Sequence, residues 1–478
     1  MSEEKANTKV LLKSSFWYTA AFFCSRAMVF LTMPLFTRLM TNGEYGDFSV
    51  FTNWQATLLI VFGLESYTTV NRARFDFKKE GELDGYISSA LVLSALFTGF
   101  FFLIYLVFPH MFDRLFLLDR KYMIIMFAYF FTYPAFSMFH AKQRIEYKYK
   151  TSTYVAFSTL ALSYIVAVVL TITLKSDRLF GRIFGQYILY ILVGLAFFVY
   201  YLYISRKITV KAWKYALRIG LPLVFAYLGS QVMLSSDSIV VKHMCSAEEV
   251  SYIALTHSCS NIVLMLIRAV NTAWAPWYYD MLKAEKTDRI RKTFQIYVWL
   301  IVALTFAVVL LGPEVVMILG GEKYRESLSV LPVYIICGVF SLLTAQFTNL
   351  ETYYKKPEYA AIITGLTAAL NVGLNIVGVK FWGYRAVCYA TVSCQLILIA
   401  LHYCLTIKMG VRKQISVKGL LLPVGVSLAM VPFALLIYQN DLVRYVCIGI
   451  LAVCVGAGML IKRKELIGLI RRFKTMKG

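Results

Sequence analysis

The chain has 478 residues, of which 59% are hydrophobic, 16% aromatic and only 16% charged, and its formal net charge is +23. Soluble domains carry about 45–50% apolar and about 25% charged residues, so an ordinary soluble enzyme and a disordered chain are both excluded. The 49 basic residues stand in short clusters between long apolar runs, as membrane loops do, and no continuous basic face for nucleic acid is evident.

Residues 1–9 are hydrophilic and acidic at the front, and no small-residue cleavage site follows the first apolar run. That run is expected to stay as a membrane span. A bilayer core of about 30 Å needs about 20 apolar helical residues. By that measure spans lie near 11–33, 48–70, 86–108, 122–140, 153–174, 183–204, 219–241, 250–271, 293–312, 328–350, 358–379, 386–407, 419–437 and 442–461. The clearest is 86–108, which carries no charge. Lipid offers no partner to backbone groups, so unbroken runs of this length must be helices. No run of short alternating strands points to a barrel. The expected fold is an all-α integral membrane protein of about fourteen transmembrane helices.

With the N-terminus taken as cytoplasmic, 34 of the basic residues fall on the inner side and 13 on the outer. That bias places both termini inside and agrees with an even number of spans. Every loop is short, which leaves no room for a soluble domain. The nine cysteines include no C-x-x-C pair, and all but Cys245 fall in apolar runs, so they read as packing residues. His140, His257 and His402 are scattered without ligand spacing, and no metal site is expected. No catalytic constellation or G-x-x-x-x-G-K-[ST] loop stands out, so neither enzyme chemistry nor a cofactor is expected.

The chain resembles itself at an offset of 204–205 residues. Thr41-Asn42-Gly43-Glu44-Tyr45-Gly46 falls on Ser246-Ala247-Glu248-Glu249-Val250-Ser251, and Arg74-Phe75-Asp76 falls on Tyr278-Tyr279-Asp280. Lys150-Thr151-Ser152-Thr153-Tyr154 falls on Lys355-Lys356-Pro357-Glu358-Tyr359. Six spans separate the copies, so the halves run in parallel through the membrane, an arrangement found in carriers. The expected domains are an N-lobe at 1–210, a C-lobe at 211–412, and two further helices with a basic cytoplasmic tail at 413–478.

The stretch from Ser15-Phe16-Trp17 through Met33-Pro34-Leu35-Phe36-Thr37-Arg38 to Thr41-Asn42-Gly43-Glu44-Tyr45-Gly46-Asp47-Phe48 resembles the opening of bacterial polysaccharide-transport proteins. Ser235-Ser236-Asp237-Ser238 and Ala273-Trp274-Ala275-Pro276 agree with it, and the resemblance covers about residues 10–410. These proteins are flippases for lipid-linked oligosaccharides. Their superfamily also holds multidrug extruders and peptidoglycan-precursor flippases. The resemblance implies two six-helix lobes around a cavity in the bacterial cytoplasmic membrane. It further implies an isoprenoid-diphosphate-linked glycan as cargo for capsule or O-antigen assembly, moved from the inner to the outer leaflet. Membrane lipid and the polymerase and export proteins of the same pathway are the implied partners.

Four charged residues stand clearly inside the expected spans: Arg26, Glu65, Asp237 and Arg268. Each costs about 2.5–3.5 kcal/mol at a helix centre, so such residues face a cavity or a partner. Arg26 is expected to be a cavity cation whose planar fork meets the carrier diphosphate, with Arg268 as a second; an arginine paired with a carbonyl is the plain alternative. Glu65 and Arg268 fall at similar depth on repeat-related helices, so they are candidates for a cytoplasmic gate, against independent snorkelling. Asp237 is expected near a loop, with an ion-coupling carboxylate as the alternative. The coupling ion, H+ or Na+, is left open. Asn371 and Asn375 share a helix face, for interhelical hydrogen bonding or for sugar contact. The competing functions are a peptidoglycan-precursor flippase, an ion-coupled multidrug extruder, and a membrane glycosyltransferase, for which no large loop exists.

Overall fold

The computed structural model describes residues 2–77, 79 and 81–461, and the expected spans are largely helical there. In chain order the helices are α1 (Ser2–Leu39), α2 (Asn42–Phe62), α3 (Ser66–Asp76), α4 (Glu82–Val107), α5 (Pro109–Phe116) and α6 (Arg120–Ile145). Then come α7 (Tyr149–Thr173), α8 (Arg178–Ser205), α9 (Val210–Met244), α10 (Ala247–Lys283), α11 (Thr287–Leu310) and α12 (Gly312–Leu319). After a 3-10 turn at Glu322–Ser329 follow α13 (Leu331–Tyr353), α14 (Pro357–Trp382), α15 (Ala386–Lys408), α16 (Val417–Ile437) and α17 (Asp441–Ile461). Among the described residues there is no strand, and eleven helices are long and apolar enough to cross a membrane. The basic tail expected after 461 lies outside the described residues.

Local chemistry explains the repeat. Thr41 caps α2 with a capping box in which Glu44 reaches back to the Thr41 backbone N–H at 2.7 Å. Ser246 does the same for α10, its backbone N–H donating to Glu249 at 2.9 Å and its hydroxyl accepting from the Glu249 N–H. Two orphan donors are thus satisfied at each helix start, 205 residues apart. The short loops after the third and ninth spans carry the eight-residue helices α5 and α12. The expected span 48–70 is not one helix. It breaks at 63–65, where Leu64 and Glu65 take φ of 51° and 46°. Its counterpart, α10, runs unbroken.

The described chain forms two compact units. The first takes in the chain to Leu255, Leu319–Lys323 and Ala361–Cys394; the second takes in Thr256–Ile318, Tyr324–Ala360 and the chain from Gln395. In the first, α8 packs on α6 and α7. Its glycines permit this: a Cβ at Gly185 would stand 2.4 Å from Ala167 Cα, and one at Gly194 2.6 Å from the Thr132 carbonyl. Small residues let helices approach closely where lipid supplies no hydrophobic drive between them. Val70, Tyr86, Ala90, Met138, Phe139, Tyr201 and Ala216 build a core among α3, α4, α6, α8 and α9. In the second unit α13 packs on α11 and α16. Tyr438 donates to the Val309 carbonyl at 2.5 Å, and the buried Arg444 meets Glu314 at 2.6 Å.

Candidate functional site

A buried polar cluster in the first unit centres on Asp237 of α9. It is fully buried and lies two turns before the helix ends at Met244, so it is not the loop-proximal residue expected. Thr391 of α15 donates to both carboxylate oxygens, at 3.1 and 3.0 Å, and Asn375 of α14 donates to Oδ1 at 2.8 Å. Ser236 donates to Asn371 Oδ1 at 2.6 Å, and Asn371 donates to Thr391 at 3.2 Å. Asn371 and Asn375 are both fully buried, and Asn375 Oδ1 has no partner. The sequence spacing put the two asparagines on one face, and the structure joins that face to Asp237. Three helices distant in sequence are tied by hydrogen bonds, and the set offers carboxylate, amide and hydroxyl oxygens in one place.

Glu65 sits in the break between α2 and α3 and is 3% exposed. Thr68 donates to its Oε2 at 2.9 Å. It is therefore a buried carboxylate, not one that snorkels to the surface. Two successive non-glycine residues in the left-handed region are strained, and such strain persists only where surroundings hold it. Gly220 of α9 supplies part of that hold, since a Cβ there would come within 2.4 Å of the Leu64 carbonyl oxygen. Arg26 is exposed on α1 and Arg268 is exposed on α10. Arg26, Glu65, Asp237, Asn371 and Asn375 belong to the first unit, and Arg268 to the second.

Two buried features were missed. Arg182, counted among the loop cations, lies one turn inside α8 with only 5% exposure, its guanidinium 3.3 Å from the Phe36 ring centroid and 4.6 Å from that of Phe48. It fastens α8 to α1 and α2 through cation–π contacts. Glu351 and His402 are also fully buried, 2.6 Å apart. Glu351 fell one residue past the expected span end at 350, while α13 continues to Tyr353. His402 was set aside as a scattered histidine. An acidic residue in the last turn of one apolar helix and a histidine inside another was the signal available.

A family model described as polysaccharide biosynthesis protein matches residues 11–282, more than half of the chain. The chain belongs to the polysaccharide biosynthesis protein family. A second model, MatE, matches residues 222–377, in the second copy of the repeat. A curated relative from Haemophilus influenzae, Lsg locus putative protein 1, is 21% identical over 416 residues, which are 84% of this chain and 99% of that one. Among solved structures, the lipid II flippase MurJ in an inward closed conformation superposes with a TM-score of 0.72 at 15% identity. That likeness covers 94% of this chain and 99% of the other. An inward-facing multidrug resistance MATE family transporter gives 0.58 at 14% identity, over 82% and 99%. These likenesses show the fold: two parallel six-helix copies followed by α16 and α17. The family member is accordingly a multi-pass membrane protein, with eleven helices among the described residues long and apolar enough to cross a membrane.

Proposed function

We propose that the protein moves an isoprenoid-diphosphate-linked oligosaccharide from the inner to the outer leaflet of a bacterial cytoplasmic membrane, for assembly of a surface polysaccharide. The family match over residues 11–282 carries this reading. Within that match lies Arg26, an exposed guanidinium flanked by apolar residues on a membrane helix. Guanidinium presents planar paired donors to phosphate oxygens, and in a low-dielectric passage such a contact strengthens. Arg26, with Arg268, is the proposed seat of the diphosphate. The lobes at 1–210 and 211–412 are the proposed moving parts of an alternating-access cycle, with 413–478 attached and both termini cytoplasmic. Glu65 and Arg268 are the proposed cytoplasmic gate. Polymerase and export proteins of the same pathway would receive the product.

Asp237 is the proposed coupling carboxylate. The residues present fit a monovalent cation as co-substrate: one carboxylate, amide oxygens from Asn371 and Asn375, and the Thr391 hydroxyl, with Asn375 Oδ1 lacking a donor. Intramembrane acidic residues paired with polar groups mark ion pathways in many transporters.

The test is translocation of defined isoprenoid-diphosphate sugars in proteoliposomes, with and without ion gradients. Movement of these lipids is expected; movement of a cationic drug with no movement of any glycan lipid overturns the reading. A second reading, a peptidoglycan-precursor flippase, is favoured by the MurJ likeness, which covers 94% of the chain. The same assay separates the two by comparing the precursor with other isoprenoid sugars.

A further inference from the structure

We propose that Glu351 and His402 form a proton-binding site within the second unit, one that holds a single proton while buried and exchanges it only when the transport cycle admits water. The inference uses the alternating-access cycle proposed above and is independent of the cargo. It also stands apart from the Asp237 cluster, which belongs to the first unit.

The geometry is that of a dyad. Glu351 lies in the last turn of α13 and His402 lies on α15, with side chains 0% and 1% exposed. His402 Nδ1 meets Glu351 Oε1 at 2.6 Å. Phe347, one turn before Glu351, stacks on the imidazole with ring centroids 5.9 Å apart and planes at 14°. The far atoms, Glu351 Oε2 and His402 Nε2, are buried without a hydrogen-bond partner. The carboxylate is thus tied on one side, and each residue keeps one atom able to take or give a proton.

Charge then sets the occupancy. With no shared proton the pair buries a net negative charge; with two it buries a net positive one. Burial in a low-dielectric interior penalises both, because an isolated buried ion loses its hydration without compensation. One proton leaves the pair neutral whichever partner carries it, so the proton belongs to the pair and not to either residue. When water reaches the dyad the penalty falls, and the proton can pass to it from His402 Nε2, the ring nitrogen not engaged with the carboxylate. The cycle closes with a proton taken from water on the other side. Only N–H and O–H bonds form and break.

Other charges on the neighbouring elements leave this balance intact. On α11, Asp288, Arg289 and Lys292 are exposed, and Arg291 donates to the Lys413 carbonyl. Lys418 on α16 and Lys408 on α15 are exposed. Tyr278 on α10 and Tyr297 on α11 are buried, their rings 6.0 and 5.6 Å from that of Trp274, whose indole N–H donates to Gln346 of α13 at 2.8 Å. A phenol that stays neutral adds no charge to the dyad.

The test uses full-length protein in two arms. In the first, wild type, His402→Gln, Glu351→Gln and the double variant are melted between about pH 5 and about pH 8. In His402→Gln the buried Glu351 must carry the proton alone. Burying that carboxyl charged and without its partner is costly, so stability falls as pH rises. The melting temperature of His402→Gln is expected to drop across the whole range and that of the double variant to stay flat; wild type, whose folded dyad keeps one proton while an unfolded histidine loses its own above about pH 6.5, should drop only in the upper part of the range. A flat His402→Gln curve overturns the proposal. In the second arm, transport of isoprenoid-diphosphate sugars into phosphatidylethanolamine–phosphatidylglycerol vesicles is compared with and without a proton gradient. The ratio is expected to be several-fold in wild type and about one in the double variant. A double variant that keeps the wild-type ratio overturns the proposal. A wild type that moves no glycan sinks the cargo reading instead, and the melting series alone then decides the dyad.

Discussion

A single charged side chain inside a bilayer has to be justified by its surroundings, and the residues singled out here differ in how that is done. Asp237 is held by neutral donors from two other helices. Its replacement in Asp237→Asn keeps size and most hydrogen bonding but removes the charge. Gradient-driven transport is expected to fall at least tenfold while melting shifts by no more than about 1–2 kcal/mol; unchanged gradient dependence would return Asp237 to a purely structural role. Arg26→Ala should abolish glycan export at normal protein levels, and Arg26→Lys should keep part of it, since the charge remains and the planar fork is lost. Full export by the alanine variant removes Arg26 from the cargo site. Outside the spans, Asp177 gives a pH dependence of known sign. Burial pushes its carboxyl up, but the hydrogen bonds from Lys121 and from the Phe180 N–H outweigh this and hold it below the usual range. Its contribution is present above the unfolded-state value and lost as pH falls. Asp177→Ala should melt lower than wild type at neutral pH, and the gap should close below about pH 4.

At the scale of a helix, the chain was largely readable. Apolar runs of about 20 residues located the membrane helices, because hydropathy is a property of contiguous residues; eleven helices among the described residues meet the length and hydropathy of a span, against about fourteen expected. The Thr41 and Ser246 boxes were legible as a repeated loop motif, and each is now a cap whose loss by alanine substitution should cost about 1 kcal/mol. The break at Leu64 and Glu65 was not legible. Nothing in Gly63-Leu64-Glu65-Ser66 forbids a helix; the left-handed turn depends on its neighbours, including the close approach of Gly220. Helix contact also explains two glycines of different kind. Gly185→Ala drives a methyl into Ala167 and should destabilise by about 1–3 kcal/mol. Gly99→Ala meets open space and should be neutral or stabilising by up to about 1 kcal/mol. Thermal melts of the two variants side by side would check both.

For the molecule as a whole, orientation underlies the direction of transport. A cysteine placed at Lys211 should label only after permeabilisation, and one placed at Arg120 should label from outside, on a cysteine-free background; the reverse pattern would invert the proposed direction. The proposed gate is a matter of the same scale. Glu65→Arg and Arg268→Glu should each impair transport, and the double swap should restore part of it. A double swap as inactive as either single variant would leave Glu65 as a carboxylate that serves the α2–α3 break alone.

Helical class, parallel repeat and family were already present in the order of the residues, because each follows from local composition, caps and motifs that survive without knowledge of any partner. The joining of Asp237 to Asn375 and Thr391, the burial of Arg182 against Phe36 and Phe48, and the pairing of Glu351 with His402 came only from the folded chain. Helices apolar on nearly every face carry little record of which side meets which neighbour. Each of those contacts depends on how two or three such helices are rotated about their axes, and close packing of small residues, not hydropathy, sets that rotation.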